Sequence, residues 1–228
     1  MAERRLLYYI TDRSQFPGDP TAQRRRLLQK VAEAARCGVD FIQLREKDLS
    51  AGELERLAQE AVATVREVPP ELEAGNQKLE TRFLINSRTD VAFAVGADGV
   101  HLRSDDVSVA TVRAAWNVAG TRNQKLGTGN FVVSVSCHSE KDVIAAAGAG
   151  ADFAVFAPVF EKSGAPGAHP AGLEALHRAC QHNIPVLALG GVTLDNAQSC
   201  LEVGAAGIAG IRLFQENAIA EVVRRVRG

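Results

Sequence analysis

The sequence predicts an α/β fold in which eight parallel strands close into one barrel and eight helices surround it. One observation is a repeat in which a helix-like stretch ends in glycine and an apolar run follows at once. Glycine ends a helix without steric cost, and the apolar run begins a strand. A second observation is the spacing of these glycines, which lie 58, 54 and 54 residues apart and leave room for two βα units of about 27 residues per interval. The four copies read Gly38-Val39-Asp40-Phe41-Ile42, Gly96-Ala97-Asp98-Gly99-Val100, Gly150-Ala151-Asp152-Phe153-Ala154 and Gly204-Ala205-Ala206-Gly207-Ile208.

Composition agrees with one domain. The 228 residues, 46% of them hydrophobic, suffice for the core of such a barrel, so we expect residues 1–228 to form a single (β/α)8 TIM-barrel domain. The net charge of −1 gives no field that would attract nucleic acid or an anionic membrane. Four scattered cysteines indicate reduced thiols, and the sequence has neither a signal peptide nor an apolar run of membrane-spanning length. We therefore expect a cytoplasmic protein.

The predicted strands are apolar runs with little alternation, which is typical of parallel strands buried on both faces. The first ends in the polar pair Thr11-Asp12. The eight strands are predicted at residues 6–11, 41–45, 82–86, 99–102, 131–136, 153–158, 185–189 and 207–213.

The predicted helices alternate with these strands. Ser50 is an N-cap residue with Glu53 three positions later, and this pair predicts the start of the second helix. The polar segments 69–81 and 120–130 are predicted loops, and the glycine-rich loop at 163–172 has the composition of a mobile lid without requiring one. The other helices are predicted at about 21–36, 89–95, 107–118 and 139–149, after the 163–172 loop, from Thr193, and at the basic end of the chain.

A parallel barrel places its chemistry at the carboxyl ends of the strands, and strand two ends in alternating polar residues. With a period of two, Gln43, Arg45 and Lys47 share the face toward the barrel mouth. An amide with two cations suits a phosphorylated anion, because arginine contacts two oxygens and lysine adds a point charge. The alternative is a surface patch of ion pairs with Glu46 and Asp48.

Strands seven and eight predict a phosphate site. Strand seven leads into Gly190 and Gly191, and paired glycines at a strand-to-helix turn let backbone N–H groups approach a phosphate. The loops after these two strands form the recurring phosphate site of such barrels, where Ile211 and Arg212 follow strand eight. Ordinary turn chemistry is the alternative for the glycines.

Strands three to five supply further polar residues. Asn86 ends strand three, and Asp105 and Asp106 follow strand four, where one carboxylate with substrate phosphate oxygens suits Mg²⁺. A helix N-cap is the equal alternative for this acidic pair. Ser136 and His138 share one face of strand five, and His138 is an acid/base candidate because histidine titrates near neutral pH. A hydrogen-bonded structural histidine is the alternative. The cysteine between them points the other way, which excludes a Cys–His nucleophile pair.

These strand ends, in this order, resemble the thiamine-phosphate synthase/TenI family. The resemblance implies a (β/α)8 barrel that binds thiazole phosphate near Gly191 and the start of the final helix. The matching segments cover nearly the whole chain: Ile10-Thr11-Asp12, Gln43-Leu44-Arg45-Glu46-Lys47, Asn86-Ser87-Arg88, Gly96-Ala97-Asp98-Gly99-Val100-His101-Leu102, Ser136-Cys137-His138-Ser139, Pro158-Val159-Phe160 and Leu189-Gly190-Gly191-Val192.

The resemblance implies one of two chemistries. Synthases join hydroxymethylpyrimidine diphosphate to thiazole phosphate and release pyrophosphate with the help of Mg²⁺. TenI-type members tautomerise thiazole carboxylate phosphate, with a histidine that matches His138. The chain keeps these parts of the synthase diphosphate site: Gln43, Arg45, Lys47 and Asn86, with Asp106 as a Mg²⁺ ligand in the synthase reaction alone.

The chain departs from the synthase pattern at three places. Ser87 replaces a metal-binding aspartate, Arg103-Ser104 replaces Gly-Gln after strand four, and the segment 161–165 replaces Thr-x-Thr-Lys. These changes predict weaker charge neutralisation on a leaving diphosphate. Whether Arg88, Arg103 or Lys162 compensates stays open at this point.

The sequence therefore slightly favours a TenI-type tautomerase, which requires no cofactor. In that reaction Gly191 and the backbone amides of strand eight, together with Arg212, hold the phosphate, while His138 moves the proton and Ser136 positions the substrate. The alternative is a thiamine-phosphate synthase that uses Mg²⁺, and a third hypothesis is a barrel that binds a phosphorylated ligand without turning it over. In each case we expect a small phosphorylated molecule as the partner, rather than nucleic acid or a membrane. The oligomeric state, including a homo-oligomer, stays open.

Overall fold

The computed structural model describes residues 4–68, 71–72, 78–122, 130–161 and 169–228. Lys162 and most of the glycine-rich loop at 163–172 therefore lie outside the described residues, as do parts of the predicted loops at 69–81 and 120–130.

The predicted barrel is confirmed. Neighbouring strands follow the chain order, and the last strand closes on the first with Leu6 opposite Gly207. Within the described residues a short antiparallel pair, Glu71–Leu72 with Lys78–Leu79, lies in the first predicted loop. The eight barrel strands among the described residues are β1 Leu6–Ile10, β2 Phe41–Leu44, β3 Arg82–Asn86, β4 Gly99–Leu102, β5 Val132–Cys137, β6 Phe153–Phe156, β7 Val186–Ala188 and β8 Gly207–Gly210.

The helices follow the strands as expected, and the N–H of Ser50 donates to Glu53 Oε2 at 2.9 Å at the start of the second helix. A 3₁₀ turn, Arg13–Gln15, follows β1. The helices are α1 Pro20–Arg36, α2 Ala51–Glu67, α3 Thr89–Val95, α4 Val109–Arg122, α5 Glu140–Gly148, α6 Gly172–Ala179, α7 Ala197–Glu202, α8 Arg212–Gln215 and α9 Ile219–Arg227. No helix of the described part of the chain is both long and apolar enough to cross a membrane.

Three elements differ from the prediction by more than two residues, and the first is α4, which ends at Arg122 rather than at residue 118 and so enters the predicted loop at 120–130. Helix α7 begins at Ala197 rather than Thr193, because the Asn196 side chain holds a turn before it: Oδ1 accepts the Thr193 N–H at 2.8 Å and Nδ2 donates to the Gly191 carbonyl at 3.0 Å. Strand β8 ends at Gly210, and the residues expected to extend it form the short helix α8. A short extra helix at this position is a recurring part of barrel phosphate sites.

The glycine repeat has the backbone geometry that its sequence predicts. Gly38, Gly96, Gly150 and Gly204 have φ values of 71°, 64°, 78° and 106°. A residue with a Cβ adopts this left-handed region only at a cost, so glycine permits the chain to leave each helix and enter the next strand.

The aspartates of the repeat fasten neighbouring strands. Asp40 Oδ2 accepts the Leu7 N–H at 2.7 Å, and the same bond recurs from Phe83 to Asp98 at 2.7 Å and from Val133 to Asp152 at 2.6 Å. Each carboxylate, placed just before an even-numbered strand, thus binds the backbone of the odd-numbered strand before it. The fourth copy carries Ala206, which has no carboxylate for this bond; its carbonyl accepts the Leu6 N–H of β1 at 2.9 Å, as the Asp40 carbonyl accepts the Arg82 N–H of β3.

Aromatic side chains fill the amino-terminal half of the barrel interior. The ring centroids of Tyr8 and Phe153 are 5.4 Å apart at an interplanar angle of 89°, and Phe41 lies 4.7 Å from Phe153. Phe41 and Phe153 are the first residues of their strands, so this cluster occupies the end opposite the mouth. Polar side chains further along the same strands are therefore held at the carboxyl-terminal end.

Candidate active site

A pair of amides joins the ends of β2 and β3. Gln43 is 1% exposed, and its Nε2 donates to Asn86 Oδ1 at 2.8 Å, while Asn86 Nδ2 donates to Ser87 Oγ at 3.1 Å. Gln43 Oε1 is buried and accepts no hydrogen bond among the described residues. A buried acceptor without a donor is costly, so this oxygen is suited to an N–H or O–H group of a bound ligand.

The carboxylates beside Arg45 pair with Arg13 rather than with Arg45. The Arg13 guanidinium lies 3.0 Å from Glu46 Oε2 and 2.7 Å from Asp48 Oδ1. Arg45 is half-buried, and its guanidinium makes no ion pair with a carboxylate among the described residues. The surface patch of ion pairs that the sequence left as the alternative therefore exists, but its cation is Arg13. The charge of Arg45 remains available to bind an anion. Lys47 is exposed at the same strand end.

The Arg13 network also fixes the backbone of the strand-two loop. Thr11 Oγ1 donates to Glu46 Oε1 at 2.6 Å and accepts the Arg45 N–H at 3.0 Å. Asp48 is exposed, and its hydrogen bond from Arg13 lowers the pKa of its carboxyl against the small opposing effect of burial. Because Glu46 is buried, these bonds hold the segment that carries Arg45 and Lys47 in one position.

A buried histidine spans β4 and β5 inside the mouth. His101 Nδ1 lies 2.9 Å from Ser134 Oγ, and Nε2 lies 2.8 Å from Ser136 Oγ. Burial lowers the pKa of His101 to about 4, with a smaller opposing effect from Asp106 and a smaller lowering effect from Arg45. The ring is therefore neutral near pH 7.

His138 lies just beyond the end of β5 with one ring nitrogen engaged. Its Nδ1 donates to the Ala157 carbonyl at 2.6 Å, because a carbonyl can only accept. In the neutral ring Nε2 then carries the lone pair, which is the form that takes up a proton. The Asp142 carboxylate accepts the His138 N–H at 2.9 Å and fixes the backbone. Cys137 between the two mouth residues is buried, and burial raises the pKa of its thiol to about 12, in agreement with its exclusion as a nucleophile.

The acidic residues after β4 are engaged by Arg103. Asp106 Oδ2 accepts the Arg103 N–H at 2.7 Å, and the guanidinium lies 3.1 Å from Asp105 Oδ2 and 3.5 Å from Asp106 Oδ1. Arg88 is likewise paired, with Asp90 at 2.5 Å. Arg88 and Arg103, which the sequence left open as replacements for the missing synthase residues, therefore both neutralise neighbouring carboxylates in this structure. Among the described residues no group of three or more His, Cys, Asp or Glu side chains is arranged to hold a metal ion.

The turn for which the sequence predicts phosphate binding has a backbone that favours glycine. Gly190 and Gly191 have φ values of 92° and 67°. A Cβ on Gly191 would lie 2.5 Å from the Glu161 carbonyl oxygen, so no side chain fits there. Ile211 precedes α8 and the exposed Arg212 is its first residue, which brings both to the same end of the barrel as the glycines.

Four residues at the mouth were not predicted from the sequence as site residues: His101, Ser134, Thr11 and Arg13. The sequence could have indicated His101 and Ser134 as mouth residues, because each lies two residues from another inward-facing position of its strand. No sequence pattern indicated Arg13, because its carboxylate partners lie 33 and 35 residues further along the chain.

Comparisons with known proteins point to one family. The family model described as thiamine monophosphate synthase matches residues 7–214. Thiamine-phosphate synthase of Chlorobium luteolum is 37% identical over 206 residues, covering 90% of this chain and 82% of the relative. The same-named protein of Syntrophomonas wolfei is 34% identical over 205 residues, covering 89% and 85%.

A solved structure is similar along the whole barrel. Thiamine phosphate pyrophosphorylase from Pyrococcus furiosus superposes with a TM-score of 0.73 at 27% identity, covering 97% of this chain and 93% of that one.

Proposed function

Because the chain belongs to the thiamine-phosphate synthase/TenI family, we propose that it is a thiamine-phosphate synthase that joins hydroxymethylpyrimidine diphosphate to thiazole phosphate. The relatives that carry this name favour the reaction that the sequence analysis held as the alternative. The observation that carries the proposal is the buried, unpartnered Gln43 Oε1 beside Asn86, next to an Arg45 that pairs with no carboxylate among the described residues. The tautomerase reaction requires the phosphate site and a proton shuttle, and the sequence assigned it no residue from this half of the mouth.

The β2 and β3 ends are suited to the pyrimidine diphosphate. Gln43 Oε1 accepts a hydrogen bond from the amino group of the pyrimidine, and Asn86 retains a second Nδ2 hydrogen for a diphosphate oxygen. Arg45 contacts two phosphate oxygens and Lys47 adds a second positive charge. These groups stabilise the pyrophosphate that departs with the electron pair of the broken C–O bond.

The thiazole phosphate fits the opposite side of the mouth. The Gly190-Gly191 turn and the start of α8 present backbone to a phosphate where a Cβ would collide. With its phosphate held there, the thiazole nitrogen faces the pyrimidine methylene and forms the new C–N bond as pyrophosphate departs. The neutral His101 below adds no positive charge that would oppose a carbocation-like pyrimidine.

The residues present fit a Mg²⁺ held largely by the substrate. Asp106 supplies one carboxylate at the mouth, and Mg²⁺ commonly uses one or two carboxylates together with substrate phosphates. When bound, the ion neutralises charge on the leaving diphosphate. Asp106 has to exchange its contact with the Arg103 guanidinium for this role, while Ser87 provides a hydroxyl in place of a second carboxylate.

One observation favours the tautomerase as a second candidate. The bond from His138 Nδ1 to Ala157 leaves Nε2 as an acceptor at the mouth, which is the arrangement that a proton shuttle requires. The two reactions make opposite demands on variants: Lys47→Ala removes charge from the diphosphate site, whereas His138→Asn removes the proton shuttle.

One incubation tests the proposal. Purified protein receives hydroxymethylpyrimidine diphosphate, thiazole phosphate and Mg²⁺, and thiamine phosphate is followed over time. We expect multiple turnovers, slowed by Lys47→Ala and retained in His138→Asn. No product from the wild type, with turnover of the thiazole tautomer that His138→Asn abolishes, assigns the tautomerase instead. Thiazole phosphate binding without turnover of any of these substrates assigns a non-catalytic barrel.

A further inference from the structure

The contact between His101 and the two serines is a largely buried polar arrangement at the mouth. His101 is 4% exposed and Ser134 is fully buried, whereas Ser136 is half-buried and faces the open side. The two hydrogen bonds of 2.8 and 2.9 Å use both ring nitrogens, so the imidazole cannot turn without breaking one of them. The Tyr8 ring, 6.1 Å away between centroids, packs from below.

A neutral imidazole in this position acts on the hydroxyls at both ends. One nitrogen donates and the other accepts, so the bond with Ser134 sets the direction of the bond with Ser136. The Ser136 hydroxyl can then offer its remaining hydrogen or lone pairs only in the direction that His101 leaves free, which is toward the mouth. A water-exposed serine would rotate among several positions.

We propose that His101 is a positioning residue of the active site, which fixes the Ser136 hydroxyl toward the bound substrate through Nε2 while Ser134 holds the ring through Nδ1. His101 does not contact the substrate itself. The inference rests on the proposed function only for the choice of assay, because the hydrogen bonds can also be observed without turnover.

Two amide substitutions at His101 distinguish a role in positioning Ser136 from a role in filling space in the barrel. The Gln amide nitrogen can take the place of Nε2, and the Asn amide nitrogen that of Nδ1. We expect His101→Gln to keep most of kcat, and His101→Asn to lower kcat about 10- to 100-fold with little change in KM, as for loss of one oriented hydrogen bond. If Asn restores kcat better than Gln, or both variants change only thermal stability, His101 is a structural residue and the proposal fails.

A double-mutant cycle tests whether His101 acts through Ser136. Ser136→Ala and His101→Asn are expected to lower kcat by similar factors, and the double variant by no more than either alone. If the two substitutions act independently, so that the double variant lowers kcat by the product of the two single factors, the proposal is wrong. His177→Asn is the control, because its ring bonds the Val203 carbonyl outside the barrel, and kcat should not change.

A nitrogen NMR measurement keeps the two proposals distinguishable. In ¹⁵N-labelled wild-type protein at pH 7, His101 should show one protonated and one unprotonated ring nitrogen, and Ser136→Ala should shift the Nε2 signal more than the Nδ1 signal. An unchanged Nε2 signal overturns the positioning role even in an active synthase. A shifted signal in a protein without synthase turnover would support the role and reject the synthase function.

Discussion

The backbone N–H of Ser87 donates to the His101 carbonyl at 2.8 Å, while Ser87 itself has a φ of 61°. Among the described residues Ser87 is the non-glycine residue with a positive φ. A left-handed conformation costs about 1–2 kcal/mol for a residue with a Cβ. The bond to the neighbouring strand helps to hold this turn at the mouth, at the position where the resemblance places a metal-binding aspartate.

The first prediction is that Ser87→Asp increases the Mg²⁺ affinity. Aspartate tolerates the left-handed region better than most residues, so the turn is retained, and its carboxylate supplies a second metal ligand near Asp106. We expect the Mg²⁺ concentration for half-maximal thiamine phosphate formation to fall about tenfold, which is about 1.4 kcal/mol. Titration of the rate with Mg²⁺ measures this.

Ser87→Asn is the matched control, since asparagine has the same shape and the same tolerance of positive φ without the charge. An equal shift in both variants would show that backbone relief, rather than a metal ligand, causes the effect. No shift in either would place this turn outside the metal site.

The second prediction separates Arg45 from the arginines that already have carboxylate partners. Arg45→Lys keeps the charge but loses the planar contact with two oxygens. We expect kcat/KM for hydroxymethylpyrimidine diphosphate to fall about 10- to 100-fold, equivalent to one charge-assisted hydrogen bond, while KM for thiazole phosphate stays constant. Steady-state kinetics with each substrate varied in turn provides the measurement.

Arg88→Lys serves as the control for Arg45, because Arg88 pairs with Asp90 at 2.5 Å on the adjacent strand end. A loss as large in Arg88→Lys would mean that this ion pair opens on binding and that Arg88 joins the diphosphate site. An unchanged rate in Arg45→Lys would contradict the role of Arg45.

The contrast between these arginines shows which parts of the site were predictable. The period of two along β2 and β5 predicts that Gln43 and Ser136 point into the barrel, where Gln43 is buried and Ser136 bonds His101, because side-chain direction in a strand is a local property. The partner of Glu46 was not predictable, since Arg13 reaches it from another strand end. Helix α8 was missed because no glycine, proline or other turn signal separates its residues from the end of β8, and only the tertiary fold ends the strand at Gly210.

The third prediction concerns stability in acid. His101 has a pKa of about 4 in the folded state and about 6.5 when unfolded, so between these values the unfolded chain binds more protons. Stability therefore falls as the pH drops through this window, and the contribution of His101 is a loss of about 2 kcal/mol between pH 7 and pH 5. Urea unfolding at the two pH values measures it.

His101→Gln removes the titrating group while keeping a buried amide. We expect the variant to lose roughly 2 kcal/mol less than the wild type over the same interval. An identical loss in the two proteins would show that other groups, rather than the buried His101, account for the acid sensitivity.

The fourth prediction tests the phosphate turn. In Gly191→Ala a Cβ would lie 2.5 Å from the Glu161 carbonyl oxygen at a φ of 67°, so the turn must move. We expect KM for thiazole phosphate to rise at least tenfold with KM for the pyrimidine diphosphate unchanged, because the proposed function assigns the two substrates to opposite sides of the mouth. Gly148→Ala in α5 is the control, since nothing lies within 4 Å of its added Cβ and alanine favours a helix by about 1 kcal/mol. If Gly191→Ala binds thiazole phosphate as tightly as the control does, the phosphate does not bind at this turn. The proposed placement of the two substrates in the mouth would then be wrong.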